Sequence, residues 1–287
     1  MALSLKSERS KGYALSAPAV LYVGFLIVVP VFLMIAHSFW TQEYVDINRD
    51  LTLANYREAF TDPLILLLLV RSVVIAGLVT LLTVLLAYPI AYYIAFKTEH
   101  KALWLILVTI PFWSSYLLRV FAWKLILGFN GVLNSGLLTL GLIDEPLTFI
   151  LYNPNAVVLT LAHAWAPFAI LPSYVSLQKI DPSLLEAATD LGNTRLERFF
   201  RVTLPLSIPG VIAASLIIFI PTVGDYVTPS LVGGSDGKMI ANMIQVQFGP
   251  ANNWPLGATL SIIAMLVVMF VAIVFVIAMR KGGSRIR

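Results

Sequence analysis

One carboxylate in this sequence falls inside an apolar segment. It is Asp225, in the run Ile-Pro-Thr-Val-Gly-Asp-Tyr-Val, whereas the other fourteen of the 15 acidic residues fall in polar stretches. An ionisable group in such a place is costly and usually faces the protein interior or a watery path. With Tyr226 beside it, Asp225 suits an alkylammonium, held by charge pairing and a cation–π contact. The competing reading is an internal ion pair with Arg71 or Arg119. A second group follows Pro111, which should loosen its helix. Trp113, Tyr116 and Arg119 come at spacings of three and share a helix face. They read as the aromatic wall of a pathway or as an interfacial belt, and the belt suits Trp123 and Lys124 better. Arg119 would either line a cavity or snorkel outward. His163 has no second His, no Cys and no nearby carboxylate, so an interhelical hydrogen bond is expected of it. No metal site is expected.

Other chemistry is missing. The chain has no cysteine, which excludes disulfides and thiolate metal sites. Gly237-Lys238 is the nearest approach to a phosphate-binding loop. Val232 stands where that loop needs Gly, and no Ser or Thr follows the Lys. ATP cannot be held that way, so no cofactor is expected on this chain. No catalytic triad or paired carboxylates lie in an apolar segment, and an enzyme is not expected.

Only 12% of the 287 residues are charged and 59% are hydrophobic, where a globular domain carries about 25% charged residues. The chain therefore reads as an all-α polytopic membrane protein. Six segments reach the roughly 20 apolar residues that a crossing needs. They are Ala17–Phe39, Ser72–Phe96, Ala102–Leu127, Asn155–Leu177, Leu206–Val227 and Leu256–Met279. The domain reading is a tail over 1–16, a six-helix domain over 17–279, and a second tail over 280–287. The Lys6/Arg9/Lys11 end resembles a signal peptide, but the apolar run is too long and lacks a cleavage site.

Basic residues orient the spans. Lys6, Arg9, Lys11, Lys97, Lys101, Lys179, Arg195, Arg198, Arg201, Arg280, Lys281, Arg285 and Arg287 fall in alternate segments. The other loops hold only Arg49, Arg57 and Lys238. The positive-inside rule places both termini and the loop after the fourth span in the cytoplasm. The excess of positive charge is used in this way, and nucleic acid is not an expected partner; lipid is. The outer loops carry acidic Glu43, Asp46, Asp50, Glu58 and Asp62, and short helices are expected over Asn134–Ile143 and Met239–Phe248.

The inner loop over 181–205 is organised. Asp181-Pro182 opens a helix, with a capping side chain before a proline suited to the first turn. Gly192 fits the left-handed position past its end. Thr194 and Glu197 form a capping box for a second short helix, and Pro205 and Pro209 should punctuate the entry to the next span. Ala187 and Ala188 leave the first helix nearly bare, open to another protein's surface.

Glu186, Ala187, Ala188, Gly192, Val202, Leu204 and Pro205 keep every spacing of the cytoplasmic signature of ABC-importer membrane subunits, with Val202 for the more usual Ile. The segments Pro-Phe-Trp-Ser-Ser-Tyr-Leu-Leu-Arg-Val-Phe-Ala-Trp, Asn-Gly-Val-Leu-Asn and Pro-Thr-Val-Gly-Asp-Tyr-Val-Thr-Pro resemble the putrescine/spermidine importer permeases in particular. The resemblance covers most of residues 60 to 260. It implies a type I ABC-importer permease fold in a bacterial inner membrane, with the 181–205 loop as the coupling helix. It also implies a homologous second permease, two ATP-binding subunits carrying ATP and Mg, and an external substrate-binding protein. Polyamine is the expected substrate, with another small solute or an ion-coupled carrier as alternatives.

Overall fold

The structure is a computed structural model that describes residues 2–44, 46–150 and 152–284. The tail residues Arg285 and Arg287 lie outside the described residues. Six helical stretches among those described are long and apolar enough to cross a membrane. These are Leu15–Ser38, Pro63–Phe96, Tyr116–Thr139, Pro154–Gln178, Arg195–Val223 and Trp254–Met279, with a shorter apolar stretch at Lys101–Trp113.

Two compact units make up the chain, Met1–Asp62 with Val246–Ile263, and Pro63–Gln245 with Ala264–Arg287. The first unit holds helix α1 (Ala2–Ser38), a hairpin of β1 (Thr41–Glu43) and β2 (Asp46–Asn48), and α2 (Ala54–Thr61). Helix α1 thus begins well ahead of Ala17. The hairpin and α2 were not expected from the sequence. Asn55 explains their order: its side-chain amide donates to the Ser38 and Trp40 carbonyls at 3.3 and 2.7 Å. Thr259 donates to the same Ser38 carbonyl at 3.1 Å, and the Trp254 amide donates to Gln42 at 3.1 Å. Glu43, Asp46, Asp50 and Glu58 are all exposed on this folded loop. The apolar window of α1 buries nothing within the chain.

The second unit is built on α3 (Pro63–Phe96), α4 (Lys101–Thr109), α5 (Tyr116–Leu127), α6 (Val132–Thr139), α7 (Pro154–Gln178), α8 (Pro182–Asp190), α9 (Arg195–Arg198), α10 (Leu204–Val223) and α11 (Val227–Val232). Helices α12 (Ile240–Phe248) and α13 (Trp254–Ser284) run from one unit into the other in sequence. The core lies where α3, α7 and α10 meet, around Val79, Leu161 and Ile218, none of them exposed. Gly210 makes this packing close. A Cβ there would stand 2.4 Å from Ser176 Cβ and 2.6 Å from the Pro172 carbonyl, so α10 can lie on α7 only without a side chain. Tyr88 and Ser207 hydrogen bond at 2.6 Å across α3 and α10. Helix α7 is capped by Asn153, whose side chain accepts from the Asn155 and Ala156 amides, and it runs on through Pro167 and Pro172.

The third span departs from the single helix expected over 102–127. Helix α4 passes into a 3₁₀ turn at Ile110–Trp113, Ser114 and Ser115 are extended, and α5 starts afresh at Tyr116. Pro111 explains this, since it removes a donor and crowds the carbonyl four residues back. By length and composition the apolar stretch is Tyr116–Thr139, yet a turn at 128–131 separates α5 from α6. Phe112 packs on Phe168 and Trp123 on His163, so α4 and α5 together run antiparallel to α7. The crossing is therefore the broken pair. The short helices expected over 134–143 and 239–248 are α6 and α12.

Candidate functional site: a capped corner and a helix break

The corner over 181–205 forms as its residues dictate. Asp181 accepts from the Ser183 amide at 2.9 Å, and this bond holds its carboxyl below the usual carboxylate range. Past α8, Gly192 takes φ of +81° with open space around it, so conformation and not crowding requires glycine. The Asn193 and Gly192 amides then close on the Ala188 and Thr189 carbonyls at 3.1 and 2.9 Å. The Thr194–Glu197 capping box is present in both directions. Three further ties were not foreseen. Arg198 donates to Thr189 at 2.9 Å, Arg201 donates to Asn193 at 3.0 Å, and Arg201 pairs with Glu197 at 3.9 Å. Each joins arginines that sequence reading used only for orientation.

Glu186 and Ala187 are exposed, and no ion pair or hydrogen bond among the described residues engages the Glu186 carboxylate. Ala188 is 6% exposed, which corrects its reading as bare surface: it packs against the chain itself. The outward apolar surface comes from Leu184, Leu191 and Leu196. The second short helix is also not separate. Helix α9 continues through a π turn at Phe199–Thr203 into α10, with Leu204 bonding back five residues to Phe199. The wide turn accommodates Pro205 without a break, so Leu204 and Pro205 join the corner to the fifth span where a punctuation was expected. Phe199 meets Tyr88 and Tyr92 edge-on at 5.9 and 6.2 Å, which links the corner to α3.

At the break after Pro111, Tyr116 and Asp225 come together, and Arg119 stays on the break itself, so no ion pair forms. Asp225 stands just past α10. One carboxylate oxygen accepts from the Val227 and Thr228 amides at 2.9 and 3.3 Å, opening α11, and the other accepts from the Tyr116 hydroxyl at 2.6 Å. Tyr116 also bonds Thr228 at 2.5 Å. Neither arginine pairs with Asp225: Arg71 Nη1 donates to the Lys238 carbonyl at 3.5 Å. Arg119 reaches back across the break, donates to the Pro111 carbonyl at 2.9 Å, and lies 4.9 Å from the centre of the Phe112 ring. A carbonyl orphaned by the broken helix explains this path better than a cavity or an outward snorkel.

Trp113 and Tyr226 are not brought into this group. Trp113 is 90% exposed and Tyr226 is 46% exposed, so Tyr116 takes the place beside Asp225 expected of Tyr226. Trp123 donates to His163 at 3.1 Å; this is the interhelical bond expected of His163, and it takes Trp123 out of the belt reading. Between α3, α10 and α13 lies a cavity of about 630 Å³, lined by Leu81, Leu85, Phe199, Leu204, Phe219 and Phe275 among others, with no ionisable carboxylate or amine on its wall.

Among the described residues the chain carries six helices long and apolar enough to cross a membrane, a capped corner and a polar cluster at a helix break. The chain belongs to the family of binding-protein-dependent transport system inner membrane components, which it matches over residues 10–286. It is 38% identical over 270 residues to the spermidine/putrescine transport system permease protein PotB of Escherichia coli strain K12, covering 92% of this chain and 97% of that protein. The PotB of Haemophilus influenzae is 35% identical, covering 88% and 87%. Among solved structures, a bacterial ABC transporter involved in the import of the acidic polysaccharide alginate has the same fold. It gives a TM-score of 0.71 at 17% identity, over 98% of this chain and 99% of that one. The fold is that of ABC-importer permeases, and the chain is an inner-membrane protein.

Proposed function

We propose that this chain is a translocating subunit of a polyamine importer, and that the corner over 181–205 couples it to a separate ATPase. The observation that carries the coupling role is Glu186, exposed and unengaged beside Ala187 on a helix fixed at both ends. The aromatic link from Phe199 to α3 gives a push at this corner a route into the core. A docked surface moves the spans only by favouring one of two arrangements, and a stiff capped corner is suited to that. ATP and Mg reside on two partner ATP-binding subunits, and this chain does no catalysis. A homologous second permease and an external binding protein complete the assembly. The bare apolar face of α1 meets lipid or that second permease, and both termini face the cytoplasm.

Putrescine or spermidine is the substrate, as supported by the names of the PotB relatives and by an acidic group just past the end of the fifth span. Asp225 and Tyr116 form the polar point of the pathway, with Arg119 beside them and Trp113 and Tyr226 on the exposed flank. A second reading, import of another small solute, is favoured by one fact: both Asp225 oxygens are already satisfied from within. Reconstitution of this chain with its partner subunits, followed by uptake of radiolabelled putrescine, separates the two. Uptake of a different solute with no putrescine uptake would remove the polyamine assignment while leaving the coupling role intact.

A further inference from the structure

Two acceptors at the break take donors that α5 supplies, and the Pro111 carbonyl also takes the Ser114 hydroxyl at 2.6 Å. The Tyr116 hydroxyl sits on Asp225, and the Arg119 guanidinium sits on the Pro111 carbonyl and the Phe112 ring. Phe112 in turn packs edge-on against Phe168, with ring centres 4.3 Å apart. Arg119 is poorly satisfied there. Its Nε–H is buried with no partner, and no carboxylate lies within ion-pair distance of it among the described residues. A buried donor left unmade costs free energy, so nothing holds the guanidinium there strongly. The places that these groups fill, a carboxylate and a carbonyl beside an aromatic face, are the places an alkylammonium takes. Tyr116 and Arg119 stand three residues apart on one face of α5, so one elongated diammonium with a cationic head at each end addresses both.

We propose that Tyr116 and Arg119 are internal stand-ins for the two ammonium groups of the substrate. Resting on the polyamine reading above, the inference is that a diammonium takes the Asp225 carboxylate and the Pro111–Phe112 position, displacing the hydroxyl and the guanidinium. Displacement breaks the bond of Tyr116 to Asp225 and that of Arg119 to the broken turn in a single event, and leaves Thr228 as the remaining side-chain hydrogen bond of Tyr116 on α11. A monoamine displaces one tie and leaves the other closed, so the pair selects for dications. Tyr116 and Arg119 thus compete with the substrate, and apparent affinity falls by the fraction of time the ties are open. If Arg119 is open a tenth of the time, removing it tightens binding about tenfold.

The test is equilibrium binding of radiolabelled putrescine to the purified transporter without its external binding protein. Arg119→Ala should tighten putrescine binding about tenfold and butylamine binding less, and Tyr116→Phe should tighten putrescine by a smaller factor. Asp225→Asn should weaken it at least tenfold. Should the Ala variant fail to assemble, Arg119→Gln, which removes the charge and keeps side-chain length, should also bind more tightly. Unchanged or weaker putrescine binding by an assembled Arg119 variant overturns the inference. If the unaltered transporter takes up putrescine and only the Arg119 result fails, the polyamine reading survives; if it neither binds nor takes up putrescine, both fall.

Discussion

The corner over 181–205 and the break after Pro111 are both places where a helix stops and restarts, yet they are built in opposite ways. At the corner every interruption is sealed by its own neighbours: Asp181 caps α8, Gly192 and Asn193 close its end, and Thr194 exchanges bonds with Glu197. At the break the Pro111 carbonyl takes Ser114 and Arg119, but no side chain caps the start of α5. The tie that fixes α5 there comes from afar, from Asp225 more than a hundred residues away. A joint sealed locally is rigid and suits transmission of force. A joint held by a few long-range bonds can open when those bonds are replaced.

Three substitutions and a change of pH test this contrast. The largest effect is expected at the corner, where Gly192→Val forces a β-branched residue to positive φ at a cost of about 1–3 kcal/mol and should abolish ATP-driven uptake in a protein that still inserts. Measured uptake near the unaltered level would show that the corner is not a rigid transmitter. Next comes Gly210→Leu, which drives a side chain into Ser176 and the Pro172 carbonyl. It should lower stability by about 1–3 kcal/mol or more, read as a fall in melting temperature in detergent. A change at the break should be milder in stability than this one. Asp181→Ala should loosen the start of α8 by removing its cap, seen as faster amide exchange over 182–190 with no change at 116–127.

The smallest effect concerns pH. The Asp181 carboxyl is held low by its bond to the Ser183 amide. A lowered folded value means its contribution is present above the unfolded value, about 3.9, and is lost as pH falls through the folded one. Amide protection at the start of α8 should therefore persist at pH 5 and decline below about pH 4. Protection that instead declines between pH 5 and 7 would point to a different group.

The same contrast explains what the sequence made legible. Caps, glycine corners and capping boxes are written within a few residues, so the 181–198 segment could be read in order, as could the apolar spans. Whatever depends on distant partners could not. Pro111 signalled a weakness in the third span, but the span's repair by Arg119 depends on where the guanidinium lands after the break. Asp225 was recognisable as the odd carboxylate, whereas its partner Tyr116 lies 109 residues earlier and only folding brings it near. The exposed position of Ala187 beside the buried Ala188 likewise depends on which face α8 turns inward. The π turn that carries α9 into α10 has no local signature comparable to a cap, and Pro205 argued for a break that the wider turn avoids.

The most direct measurement is putrescine accumulation in proteoliposomes holding this chain with its partner subunits, with and without ATP, for the unaltered protein and for Glu186→Ala. Accumulation should require ATP and the partner ATPase, and Glu186→Ala should assemble with that ATPase poorly or transport nothing. Accumulation by this chain alone, with no ATP present, would contradict the account.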